Sequence, residues 1–223
     1  MAPAITEKQN ILLVSLDDSS PFEQVHHQLL SKLQSTSAVD RATTPASAMQ
    51  ALADAAPHAV LVTDGGIAQH GNVYAKLLDY AHSGGILVFM GTFSSFTRPS
   101  DFQSLFQKAG LPWKAGDYHR TTVYRNDTDT DATSSSRAEL PASYSQKAVF
   151  LTGVPRKYAW YLPNASSRTE SLVFPPAPIA DQSQTPVAFA DLGTGKLGYV
   201  GDVNGEEGSE AVVLAMCGLR GSA

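Results

Sequence analysis

The chain has 223 residues, a length that suits one domain. Hydrophobic residues make up 43% and charged residues 17%, which excludes a disordered or low-complexity chain and fits a globular protein with a core of its own. A formal net charge of -5 with no basic run argues against a nucleic acid or an anionic membrane as partner, and one cysteine, Cys217, excludes an internal disulfide or a cysteine-built zinc site.

The opening residues lack a basic stretch followed by an apolar one, and no apolar run is long enough to span a bilayer, so a cytoplasmic location is expected. Residues 11–15 read as a buried strand, closed by Asp17 and Asp18. Ser20-Pro21-Phe22-Glu23 reads as a helix start: Ser20 caps, Pro21 takes the first helical position and Glu23 completes a capping box. Phe22, Val25, Leu29 and Leu33 share one helical face. His26 and His27 inside this helix point about 100° apart, so they do not share a metal and are expected to be surface or partly buried side chains.

Residues 38–42 read as a short edge strand. Thr44-Pro45 opens a second helix with Met49, Leu52, Ala53 and Ala56 inward, and Pro57 stops it. Residues 59–63 form the next buried strand, which ends in Asp64-Gly65-Gly66. Residues 72–82 read as a helix with Val73, Leu77, Tyr80 and Ala81 as its apolar face, ended by Gly84 and Gly85. The strand 86–90 follows and runs into a sharp polar bend, Gly91-Thr92-Phe93-Ser94-Ser95. This alternation predicts an α/β fold, a mostly parallel central sheet of flavodoxin-like type with helices on both faces. Right-handed crossovers then bring Asp17, Asp18, Asp64, Gly65, Gly66 and the bend to one edge of the sheet.

The second half has a different texture. Ser100 to Gln103 reads as a further capping box, with Phe102, Leu105, Phe106 and Ala109 on one helix face and Gly110 at its end. Residues 118–125 alternate as a half-exposed strand, and 126–136 form a polar insertion loop. Residues 148–154 and 157–162 are strand-like, 175–186 is a proline-rich connection, and 187–191 with 196–201 form a hairpin. Asn204, with Glu207 as capping-box partner, is expected to cap a last helix in which Val212, Val213, Met216 and Leu219 face inward. A single domain spanning 1–223, with extra antiparallel hairpins in its second half, accounts for the whole pattern.

Three of these features together resemble the class I glutamine amidotransferase-like fold, nearer to its ThuA-like (trehalose utilisation-like) branch than to true glutaminases. They are the strand ending in Thr63-Asp64-Gly65-Gly66, the Gly84-Gly85 turn with the strand and bend at Met90-Gly91-Thr92, and the late strand followed by Asp202-Val203-Asn204-Gly205-Glu206 and a terminal helix. In glutaminases of this fold the bend reads Gly-x-Cys-x-Gly and a His-x-Glu pair comes late. The cysteine attacks the amide, the histidine is the base and the glutamate orients it. Laid on this chain, the cysteine position falls at Gly91 and the histidine–glutamate stretch falls near Asn204-Gly205-Glu206. Glu206 survives, whereas nucleophile and base do not. The resemblance thus implies a glutamine amidotransferase-like protein without glutaminase activity, a pseudoenzyme. Cys217, in an apolar helical stretch, reads as packing.

Several site readings follow. In the first, Asp64, Gly65, Gly66, Gly91, Thr92, Asn204 and Glu206 converge at the carboxyl edge and bind a small polar molecule, or a protein partner, without a cofactor. The acids favour a neutral polyol, sugar-like or amide-bearing ligand, and self-association is left open. In the second the chain is a hydrolase with Thr92 or Ser94 as nucleophile, Glu206 as a further catalytic candidate, and His70 or His119 as base. In the third, Asp17, Asp18 and Asp64 bind a metal as in receiver-type signalling modules. Each has a plain structural counterpart: hydroxyls that satisfy a turn, acids and glycines that build turns, and Asn204 as a cap. Tyr118, His119, Arg120, Tyr158, Trp160 and Tyr161 read as a sheet face, a pocket lining or a partner surface.

Overall fold

A computed structural model describes residues 8–17, 20–54, 56–127 and 137–219. Its first half alternates as the apolar pattern predicts: β1 (Asn10–Val14), α1 (Phe22–Val25), α2 (His27–Thr36), β2 (Ala38–Ala42), α3 (Pro45–Asp54), β3 (Ala59–Val62), α4 (Gly71–His82) and β4 (Ile86–Phe89). Two helices follow the bend, α5 (Phe93–Phe96) and α6 (Pro99–Lys108). The second half contains β5 (Lys114–Arg125), β6 (Ser143–Thr152), β7 (Ala159–Leu162), β8 (Val187–Leu192), β9 (Gly195–Val200) and α7 (Glu207–Met216).

The strands form one sheet in the order β2-β1-β3-β4-β9-β8-β7-β5-β6. From β2 to β9 the neighbours run parallel, and from β9 to β6 every pairing is antiparallel. The expected mostly parallel sheet is therefore a parallel half joined to an antiparallel half. The last strand, β9, lies at the join, between β4 and β8.

Parallel strands covered on both faces are apolar throughout, and β3 is buried at all its positions. Successive residues of a strand point to opposite faces. Leu12, Val60, Val62, Leu87 and Phe89 accordingly pack with Leu52 of α3, Leu77 of α4 and Phe106 of α6. Ile11, Leu13, Leu61 and Val88 pack on the other face with Leu29 and Leu33 of α2 and with Val212 and Val213 of α7. The antiparallel half curls back on the sheet. Val149 of β6 donates its N–H to Gly201 O (3.0 Å), Val203 donates to Lys147 O (3.0 Å), and Leu151 and Thr185 exchange two backbone bonds.

Several local expectations are corrected. The helix start at Ser20 has no side-chain cap. Ser20 Oγ bonds to Thr92 Oγ1 (2.7 Å) and Glu23 pairs with Arg41, so both members of the predicted box serve tertiary contacts. The single helix expected there breaks at His26, whose backbone leaves the helical region (φ -111°, ψ 27°). In α6, Pro99 takes the first turn and Arg98 is the N-cap residue, so the Ser100–Gln103 box falls inside the helix. In α3 the buried residues are Ala48 and Leu52, with Met49 and Ala51 packed beside them, and Ala53 and Ala56 are exposed. Within the expected loop 126–136, residues 128–136 lie outside the described residues. Among the described residues no helix is long and apolar enough to cross a membrane.

Candidate functional site

The bend after β4 is built around Gly91, which holds φ +67°. A Cβ there would lie 2.7 Å from the Phe22 ring and 2.8 Å from Thr63 O, so both the backbone angle and the space select glycine. The next residue locks the bend. Thr92 donates both its N–H (2.8 Å) and its hydroxyl (3.0 Å) to Thr63 O at the end of β3. Two residues on, the Ser94 hydroxyl donates to Gly201 O (3.2 Å) at the end of β9. Both hydroxyls are buried and spend their hydrogens on main-chain carbonyls. The bend is thereby fastened to the two strands that flank β4.

On the β3 side, Asp64 caps a short 3-10 turn over Gly65–Gln69. Its buried Oδ1 accepts the N–H of Gly66 (3.0 Å) and of Leu16 (3.2 Å), which ties the end of β1 to this turn. Burial raises the Asp64 pKa above the usual carboxylate range, and the amide bonds work against that rise. A Cβ on Gly66 would lie 2.6 Å from the Leu16 backbone, and one on Gly65 would lie 2.9 Å from Thr97 Oγ1. An open groove of about 550 Å³ lies over this turn, lined among others by Asp17, Gly65, Gly66, His70, Phe96 and Arg98.

On the β9 side the central group is Asp202, which opens the late motif of the sequence but is assigned no role there. It is buried, and its carboxyl accepts the N–H of Asn204 (2.9 Å) and of Glu206 (2.6 Å). Burial raises its pKa. Asn204 is consequently not the helix cap: α7 starts at Glu207, Glu206 is its N-cap residue, and no side chain caps it. Gly205, at φ +70°, turns the chain so closely over α1 that a Cβ would lie 2.8 Å from Val25 O. Glu206 pairs with Arg120 of β5, and the Asn204 amide lies 3.4 Å from Glu206.

Between this turn and α2 lies a small cavity of about 10 Å³, lined among others by His26, Gly91, Asp202, Gly205 and Glu210. His26 is buried and stacked on Phe22 at 5.1 Å between ring centroids, and burial pushes its pKa down to about 4. Glu210 is buried against Lys32 (2.6 Å).

The predicted residues thus fall into three places. Asp17, Gly65 and Gly66 line the groove over the buried Asp64; Gly91 lines the small cavity; and Asn204 and Glu206 form the turn after β9 and line neither. Thr92 and Ser94 lie in the bend between them. His70 lines the groove. His119 stacks on Phe150 of the antiparallel half at 4.4 Å, and burial lowers its pKa. Asp18 lies outside the described residues, and among those described no three His, Cys, Asp or Glu side chains come together to hold a metal ion. Cys217 is buried at the end of α7 and its thiol is pushed up to about 12. Trp160 and Tyr161 are core, whereas Tyr118 is exposed under Lys147, 5.2 Å from the ring centroid. Asp202 was in principle detectable as a carboxylate closing a buried strand. His26 was not, because nothing in the helical pattern marks the break that turns it inward.

No family model and no curated protein matches the chain. Solved structures with a similar fold include a ThuA-like protein from Parabacteroides merdae, 12% identical with a TM-score of 0.53 over 95% of this chain and 89% of that one. They also include a GMP synthase-like protein from Thermoplasma acidophilum, 9% identical with a TM-score of 0.53 over 95% and 94% of the two chains. A β-galactosidase from Bacillus circulans sp. alkalophilus is 10% identical with a TM-score of 0.55, and the match covers 95% of this chain but 31% of that one. The chain therefore has the glutamine amidotransferase-like fold that its sequence resembles, with a ThuA-like protein among its structural neighbours. At these identities the likeness is one of fold.

Proposed function

We propose that this is a cytoplasmic glutamine amidotransferase-like protein without the glutaminase triad, which binds a small polar ligand in the groove at the carboxyl edge of β1 and β3. The groove itself carries the reading. Its volume of about 550 Å³ lies within the usual range for small-molecule pockets, and part of its wall is the Gly65–Gly66 turn that the buried Asp64 holds in place. Phe96, 61% exposed, offers a ring face beside polar groups of both signs, Asp17, Asp101 and Arg98. Such a lining suits a neutral hydroxylated or amide-bearing molecule, since a charged one would meet a like charge. The loss of glutaminase chemistry rests on Gly91 at the bend, Asn204 where a base would stand, and a Cys217 thiol too deeply buried to ionise. The hydrolase alternative is the weaker one, because the Thr92 and Ser94 hydroxyls already donate to carbonyls.

The test is an NMR titration with a panel of monosaccharides, polyols and carboxamides. Shifts are expected at Gly65, Gly66, Phe96 and Arg98, and Phe96→Ala is expected to weaken binding about tenfold at unchanged melting temperature. Glutamine should yield no ammonia. Hits confined to other surfaces would overturn the site. Ammonia release that vanishes in Cys217→Ser would overturn the loss of the triad.

A further inference from the structure

The ring of His26 is 3% exposed, and Phe22 fixes one face of it, 5.1 Å away between centroids and 25° from parallel. Its Nε2 is buried and has no hydrogen-bond partner among the described residues. A neutral imidazole nitrogen is a donor or an acceptor according to its tautomer, and burying it with its bond unmade is costly. This ring lines the cavity of about 10 Å³ beneath the turn after β9. The same wall holds Asp202, Ser209 and Glu210, and these side chains can take a further bond. Each Asp202 oxygen accepts one N–H, and a carboxyl oxygen has a second lone pair. Glu210 meets Lys32 through Oε2. The Ser209 hydroxyl lies 3.3 Å from Tyr144 Oη and 3.4 Å from Gln146 Oε1, both at the long limit, and it has a single hydrogen to give.

These features decide what the cavity takes. Its volume is about that of one water-sized probe, so a larger solute is excluded. An apolar cavity of that size stays dry, but four polar side chains supply the roughly two to four partners that a buried water needs. Leu29, Met90 and Val213 close other parts of the wall with apolar groups. An anion would face the Asp202 and Glu210 carboxyls. A metal ion would lack ligands, since among the described residues no three His, Cys, Asp or Glu side chains come together to hold one. Water alone suits both kinds of group: it donates to a carboxyl, and it gives to or takes from the imidazole in either tautomer.

We propose that this cavity is the binding site of one long-lived water, which bonds to His26 Nε2 and to at least one of Asp202, Ser209 and Glu210. The water joins three segments far apart in sequence: the break between α1 and α2, the turn after β9 and the first turn of α7. These residues do not line the groove over Gly65 and Gly66, so the site stands whether or not that groove binds a small molecule. The test is a crystal structure of the full chain at a resolution that places single waters, paired with oxygen-17 relaxation dispersion, which counts long-lived waters in solution. The expected map has a peak about 2.7–3.2 Å from His26 Nε2 and within the same reach of one of the three partners. His26→Phe, whose ring has no nitrogen, is expected to lose that peak and to lower the count by one. A wild-type map without the peak, a peak beyond reach of Nε2, a peak that proves to be an ion of the crystallisation solution, or an unchanged count in the variant would each overturn the proposal. If the variant does not fold, the wild-type map decides by itself.

Discussion

Gly91 carries more constraint than any side chain at the bend. Its φ of +67° is one that L side chains rarely adopt, and Thr63 O, 2.8 Å from a would-be Cβ, belongs to a strand end that cannot withdraw without breaking its bonds to Thr92. Gly91→Val is therefore expected to destabilise the fold by about 2–4 kcal/mol, read as a lower urea midpoint. An unchanged midpoint would mean that the bend is free to relax. His26 supplies the second residue-scale expectation. In the unfolded chain its imidazole takes a proton as the pH falls through about 6.5, but in the folded protein it does so only near 4. The unfolded state binds more protons between those values, so stability present above pH 6.5 is lost as the pH falls toward 4, by about 3 kcal/mol in all. Asp64 and Asp202, whose pKa values are raised, act in the opposite sense as they regain their protons. The histidine contribution is isolated by subtracting the stability–pH curve of His26→Phe from that of the wild type. A difference that is flat between pH 6.5 and 4 would show that the ring is solvated.

At the scale of elements, the helix starts separate what is legible in the sequence from what is not. The apolar faces of α4, α6 and α7 follow from spacing alone, because burial rewards a fixed periodicity. The capping patterns misled at α1, α6 and α7. Short polar side chains have several possible partners. At α1 the tertiary one prevailed, since Ser20 bonds to Thr92 and Glu23 pairs with Arg41; at α7 another local one did, since Asp202 takes the turn's N–H groups and Asn204 lies beside Glu206. Asp202 is thus the residue that organises the entry to α7. Asp202→Ala would leave the N–H groups of Asn204 and Glu206 without their acceptor and is expected to cost about 2–4 kcal/mol in chemical denaturation. Asp202→Asn, which keeps one carbonyl oxygen, is expected to cost less. Equal losses in the two variants would indicate that the carboxyl matters for its volume and not for the bonds it accepts.

At the scale of the molecule, the parallel half and its glycine turns could be read from the chain, and the sheet order could not. Buried parallel strands look alike in sequence, so nothing local says that β9 lies beside β4, more than a hundred positions earlier. Nor does any local signal show that β6 folds back on the residues after β9. Both arrangements have one consequence: the two halves share β9, which is bonded to β4 on one side and β8 on the other, while its extension bonds to β6. Opening the antiparallel half would strip β9 of a neighbour and uncover the core built on Trp160, Phe150 and Val212. Cooperative units of unfolding follow such shared packing and need not follow sequence segments. The amides of Val149, Leu151 and Gly201 are accordingly expected to exchange with solvent hydrogen as slowly as those of β3 and β4, through global unfolding alone. The exposed edge strand β2 and the loop that carries Leu172 are expected to exchange first. Native-state hydrogen exchange over a series of low urea concentrations distinguishes the cases. If Val149 and Leu151 exchange through a smaller opening, with a weaker urea dependence than Val60 and Leu87, the antiparallel half unfolds by itself and the return of β6 to Gly201 does not couple the two.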